Sequence, residues 1–126
     1  MLAGGKRPYH TIIPGFMEKG DRHMGFGIMG GANQPLAHAQ FVSNVVDHGM
    51  NIQAATNAPR VHHQWWPDEL LTERTLSPDT ISVLRAKGHV VTAGDPIGTT
   101  QTILYWDGLF QGAADPRRGG GKAVGI

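Results

Sequence analysis

His23-Met24-Gly25-Phe26-Gly27-Ile28-Met29-Gly30-Gly31-Ala32-Asn33-Gln34-Pro35 carries a strand, a break and a helix start in direct succession. His23 to Met29 reads as one member of an antiparallel pair, with Gly25 and Gly27 weakening it or marking a close approach. Gly30-Gly31 then breaks the chain. Asn33 is a good N-cap, and Pro35 is tolerated in the first helical turn, where its missing N–H costs nothing. From Leu36 to His48, the residues Leu36, Ala39, Val42 and Val46 recur at helical spacing, and Phe41 and Val45 widen the stripe. Gly49 is a C′ stop.

Upstream, Tyr9 to Lys19 reads as the partner strand, rich in β-branched residues, with Gly20-Asp21 as the turn between the two. Downstream, a shorter helix begins after Asn51 and ends before Pro59. Val61 to Thr75 fits two short extended segments around Trp65-Trp66-Pro67-Asp68 better than a helix. Ser77-Pro78-Asp79 is the clearest helix start in the chain: an N-cap, proline at N1 and an acid near the positive dipole end. That helix carries Ile81, Leu84 and Ala86 and stops at Gly88. Val90-Val91-Thr92 begins a strand. Thr99 to Trp106 and Leu109 to Ala114 bracket Asp107-Gly108, the strongest hairpin signal present. The tail from Arg117 to Gly125 is expected to be irregular.

This order implies an α+β fold over residues 1–126 as one domain, with helices on one face of a mainly antiparallel sheet. Nothing in the pattern covers the second sheet face, and an exposed apolar face would need another chain. The 126 residues suffice to bury a core, and 40% hydrophobic with 17% charged residues describes a globular protein. Eighteen glycines, roughly twice average usage, imply many tight turns. A net charge of +1 provides no basic field for nucleic acid or an anionic membrane surface. No apolar run reaches the ~18 residues of a membrane helix. With no cysteine, disulfides, thiolate metal sites and a Cys nucleophile are excluded. Met1 to Gly5 is too short for a secretory signal, and the compartment stays open.

Several motifs together resemble the gamma-glutamyltranspeptidase (gamma-glutamyltransferase, glutathione hydrolase) family of N-terminal nucleophile hydrolases. They are Lys6-Arg7-Pro8-Tyr9-His10-Thr11-Ile12-Ile13-Pro14, Gly30-Gly31, Asp47-His48-Gly49-Met50-Asn51-Ile52-Gln53, Ala58-Pro59-Arg60, Leu76-Ser77-Pro78-Asp79, Gly88-His89, Gly98-Thr99-Thr100-Gln101 and Asp115-Pro116-Arg117. The resemblance implies an αββα sandwich of which this chain is the C-terminal part of the small subunit. It also implies a precursor that cuts itself, and a small subunit opening on a threonine that attacks the γ-glutamyl carbonyl, its free α-amine acting as base. That start is expected upstream of Lys6; Thr11 could serve only after cleavage inside what reads as a strand.

By the same resemblance, Gly30 and Gly31 match the glycines whose backbone N–H groups form the oxyanion hole. Cβ-free residues ahead of a helix N-terminus suit that task; a plain Gly-Gly turn is the alternative. His10 and Thr11 match a serine pair that binds the substrate's α-carboxylate. Thr11 keeps a hydroxyl donor, while the bulkier, titratable His10 fits the acylase-like branch better. Ordinary strand residues are the alternative there. No cofactor and no metal are expected.

The remaining polar and aromatic residues read more plainly. His62 and His63 point to opposite faces of a strand and suit packing or an interface rather than a metal. Trp65, Trp66 and Trp106 suit core or interface. Asp68-Glu69 reads as solvated turn chemistry, and Arg117-Arg118 as partners of an acid in another subunit or as a solvated tail. No nucleotide-binding glycine loop is present. Two functions stand. One is a piece of a γ-glutamyl acyl-transfer enzyme that needs the rest of its precursor. The other is a non-enzymatic module that self-associates as a homo-oligomer over its open sheet face.

Overall fold

Asp107 and Gly108 both adopt positive φ, 51° and 74°, the geometry of a type I′ turn whose twist matches that of the strands it joins. The strands on either side, β6 (Thr99–Trp106) and β7 (Leu109–Ala114), therefore pair in register from Trp106 opposite Leu109 to Gln101 opposite Ala114. The computed structural model describes residues 3–7, 11–119 and 121–125. Ahead of this hairpin come β1 (Gly15–Lys19), β2 (Arg22–Met29), a 3₁₀ turn at Gly31–Asn33, α1 (Gln34–Val46) and α2 (Ile52–Asn57). Then follow β3 (Val61–His62), β4 (Leu70–Glu73), α3 (Pro78–Ala86) and β5 (Val91–Gly94). A second 3₁₀ turn, Pro116–Arg118, follows β7.

Four strands form an antiparallel sheet in the order β1-β2-β6-β7. Strand β2 alternates in burial because its neighbours project to opposite faces. Met24, Phe26 and Ile28 point inward, against Ala37 and Phe41 of α1, Ile52 and Ala55 of α2, and Ala113 of β7. The Phe26 and Phe41 rings lie 5.2 Å apart at a tilt, a packing that adds to simple burial. Helices α1 and α2 thus cover one face of this sheet.

The opposite face is largely open, with the tail lying over β7 where Ala123 meets Gly112. Phe16, Ile103 and Phe110 are 68%, 51% and 72% exposed, and the register sets Phe16 opposite Gly25, Ile103 between Gly25 and Gly112, and Tyr105 opposite Phe110. The expectation of an uncovered apolar face agrees with this geometry.

Some expectations need correction. The first strand begins at Gly15, not Tyr9; Thr11 to Pro14 form no strand, and Tyr9 and His10 lie outside the described residues. Pro14 has no N–H to give a ladder, and Ile12 and Ile13 are both exposed rather than alternating. Asn33 does not cap α1. It adopts helical angles because the 3₁₀ turn runs straight into the helix, and its side chain makes no capping bond. A second sheet, in the order β3-β4-β5, stands beside the single sheet expected from the residues. Its parallel β4–β5 pair needs the crossover that α3 supplies. Trp65 and Trp66 belong to no core, being 86% and 80% exposed. Among the described residues no helix is long and apolar enough to cross a membrane.

Helix α3 is capped by Ser77 as expected, and α2, expected to begin after Asn51, is capped by it. The Asn51 side chain accepts from Ala54 N–H at 2.8 Å, and Ser77 Oγ accepts from Thr80 N–H at 3.1 Å. Asn51→Ala removes a partner for an orphan amide of α2 and is expected to cost about 1 kcal/mol, checked as a lowered midpoint of thermal unfolding.

Candidate active site

Gly30 ends the run of β2, whose last ladder pair with β6 is Met29 opposite Thr99. Gly30 is extended at φ 176°, and Gly31 turns into the left-handed region at φ 57°, which favours glycine. The Gly30 carbonyl accepts from Asn33 N–H at 3.1 Å, and the Gly31 carbonyl accepts from Gln34 N–H. Among the described residues, neither glycine's own N–H has an acceptor. Among the described residues, two amides without acceptors therefore lie just ahead of the positive end of α1, which favours negative charge.

Beneath Gly30 runs the turn before β6. A Cβ on Gly30 would lie 3.1 Å from Gly98 Cα. Gly98 is buried with φ 75°, and a Cβ there would come within 2.7 Å of Ile28 and 3.1 Å of the Met29 carbonyl. Backbone packs on backbone here, so the height of the Gly30 turn is set by the Ile97–Gly98 turn.

That turn is held from below by four charged side chains. Arg60 is 2% exposed. Its Nη1 donates to the carbonyls of Ile97 at 2.9 Å and Gly98 at 3.2 Å. Its Nη2 donates to Thr56 O, Thr100 Oγ1 and Asp115 Oδ2 at 3.0, 2.6 and 3.0 Å. Asp115 in turn accepts from Thr100 N–H at 2.9 Å and Arg117 N–H at 2.9 Å. Glu73 accepts from Ile97 N–H at 2.6 Å, Arg60 N–H at 3.1 Å and Arg117 Nε at 2.7 Å. Two cations and two carboxylates thus balance within one buried cluster, each saturated with hydrogen bonds, the condition under which buried charge is tolerated.

The cluster sets its own protonation. Burial raises the Asp115 carboxyl, but bonds from Thr100 N–H and from Arg117 outweigh it and hold the group below the ordinary carboxylate value. Burial lowers Arg117, yet its bonds to Glu73 and Asp115 leave it above the usual value. Arg60 lies below its usual value because burial, with repulsion from Arg117, outweighs Asp115 and Glu73. A carboxyl depressed on folding stabilises the fold above its unfolded value and ceases to do so as pH falls through the folded one. Stability is therefore expected to hold above about pH 4 and to drop below it, and Asp115→Asn to flatten that slope in acid-unfolding curves.

Thr11 is exposed, and its carbonyl accepts from Gln34 Nε2 at 2.9 Å, so the first residues of α1 join the Thr11 segment to the Gly30–Gly31 turn. His10 lies outside the described residues. Arg117 does not await an acid elsewhere: it pairs within the chain, and Arg118 remains exposed. Buried His62 packs at 5% exposure; His63 pairs with exposed Asp68 at 3.0 Å, and Glu69 accepts from Thr92 Oγ1, so Glu69 is not purely solvated. Among the described residues no group of three or more His, Asp or Glu could hold a metal ion.

Residues 1–125 match the gamma-glutamyltranspeptidase family. The glutathione hydrolase proenzyme of Escherichia coli is 44% identical over 114 residues, covering 89% of this chain and 20% of that protein. A solved acivicin-inhibited gamma-glutamyltranspeptidase superposes with a TM-score of 0.81 at 32% identity, over 93% of this chain and 65% of that one. A cephalosporin acylase from Bacillus halodurans superposes with a TM-score of 0.78 at 39% identity, over 92% of this chain and 23% of that one. The chain thus spans about one-fifth of the proenzyme it matches. Its α+β architecture is that of gamma-glutamyltranspeptidase structures, and with residues 1–125 matching in order, the chain belongs to the gamma-glutamyltranspeptidase family.

Proposed function

We propose that the chain forms the C-terminal portion of a small subunit and supplies the oxyanion hole for acyl transfer from, or hydrolysis of, γ-glutamyl or related acyl amides. A threonine from a preceding segment of the same precursor attacks the amide carbonyl, and its α-amine takes the hydroxyl proton. The carbonyl oxygen becomes an oxyanion and is received by the N–H groups of Gly30 and Gly31. The C–N bond then breaks, the amine leaves with the proton, and the acyl group passes from the threonine to water or to an acceptor amine. The single observation behind this reading is the pair of amides ahead of α1 that have no acceptor among the described residues.

Thr11, and His10 beside it, would hold the polar far end of the acyl group. His10 in place of a serine favours an acyl donor other than glutathione; relatives of the chain include both a glutathione hydrolase and a cephalosporin acylase. The large subunit and the first part of the small subunit would cover the open face bearing Phe16, Ile103 and Phe110, completing the αββα sandwich. The test compares the 126-residue chain with the complete precursor, its large subunit included and its small subunit opening on a free threonine. Hydrolysis of a γ-glutamyl anilide is expected only from the second; an inert complete precursor would refute the reading.

The open face also favours a second reading, a non-enzymatic module that self-associates. Native mass spectrometry of the chain alone separates the two: a homo-oligomer supports self-association, and a monomer opposes it.

A further inference from the structure

Gln34 opens α1 and is 5% exposed. A buried amide is costly unless its polar atoms are used; Oε1 has no partner among the described residues, while Nε2 reaches a part of the chain far away in sequence. Its Nε2 donates to Thr11 O at 2.9 Å, across 23 residues. Its backbone N–H donates to Gly31 O. Its own carbonyl accepts from His38 Nδ1 at 2.7 Å, and the His38 ring leans on Phe26 with centroids 5.5 Å apart. One residue, braced against the core, therefore holds both the turn that carries the free amides and the exposed segment that carries Thr11.

We propose that Gln34 is a positioning residue that sets the separation between the oxyanion turn and the Thr11 segment, and so selects acyl groups whose polar far end reaches Thr11 when the carbonyl sits at Gly30–Gly31. This rests on the acyl-transfer reading above. The side chain touches neither the reacting carbonyl nor the nucleophile; its one bond fixes Thr11 O to the start of α1, where the backbone N–H of Gln34 is already bonded to Gly31 O. An apolar residue of the same size would fill the space and leave that distance unset.

The complete precursor is assayed with a γ-glutamyl anilide and with 4-nitrophenyl butyrate, which shares the reacting carbonyl but has no polar far end. In Gln34→Met, kcat/KM for the γ-glutamyl anilide is expected to fall about tenfold, chiefly through KM, as loss of one buried hydrogen bond implies. Turnover of the butyrate ester should change by less than about twofold. Gln34→Glu, of the same shape, is read the same way should the methionine variant not fold. Equal losses on both substrates, or an unchanged γ-glutamyl rate, would overturn the positioning role while leaving acyl transfer standing. A wild-type precursor inert on both would remove the acyl-transfer reading and this one with it.

Discussion

Replacing Arg60 by methionine lowers the stability of the chain by about 3–5 kcal/mol, measured as a shift in the midpoint of urea unfolding. The guanidinium satisfies five acceptors at once: the carbonyls of Thr56, Ile97 and Gly98, Thr100 Oγ1 and Asp115 Oδ2. Methionine fills similar space but leaves these oxygens buried without that donor. It also leaves two carboxylates, Glu73 and Asp115, facing Arg117 as their one remaining arginine within the cluster. Unpaired buried charge costs far more than the pair contributes when intact. Arg60→Lys should recover only part of the loss. An ammonium keeps the charge but has three donors on a single atom and cannot span the planar fork.

Gly98→Ala is expected to cost about 2–4 kcal/mol, the sum of a left-handed backbone carrying a Cβ and an overpacked contact. The new methyl would meet Ile28 at 2.7 Å and the Met29 carbonyl at 3.1 Å, with φ at 75°. Ile28 belongs to the packed core and the Met29 carbonyl is backbone, so neither can retreat cheaply. The strand end must move, and Gly30 moves with it. Gly31→Ala is the control. It carries the φ penalty at 57° but has open space around it, so about 1 kcal/mol is expected. Thermal unfolding of the two variants separates packing strain from backbone strain.

Where local chemistry decides, the fold is legible from residues alone. Ser77-Pro78-Asp79 starts α3 and Asp107-Gly108 turns the last hairpin because each signal acts within a few residues. Asn51 caps α2 for the same reason. Asn33 misled because the glycine pair ahead of it starts a 3₁₀ turn that flows into α1, so the residue is already helical when a cap would be needed. The β4–β5 pairing was hidden because strands this short acquire their partner from the crossover through α3, a tertiary event with no periodic signature.

The site divides in the same way. Gly30 and Gly31 stand out as a pair, and Thr11 comes to the same helix end through Gln34. The supporting cluster was only half visible. Ala58-Pro59-Arg60 and Asp115-Pro116-Arg117 enter only as motifs of the resemblance, and Arg117 reads as a partner of an acid in another subunit or as part of a solvated tail. Glu73, in the middle of a short strand, carries no local mark and is found only through its bonds to Ile97, Arg60 and Arg117. Side chains that meet across 44 residues of sequence leave no spacing to read.

The central claim, that the Gly31 N–H receives the reacting oxygen, is tested most directly by replacing the Gly30–Gly31 peptide bond with an ester in the complete precursor, which deletes that N–H and weakens the Gly30 carbonyl as acceptor for Asn33 N–H. Steady-state hydrolysis of a γ-glutamyl anilide should show kcat lowered about 10²–10³-fold with KM little changed. A kcat equal to that of the unmodified protein would contradict the claim.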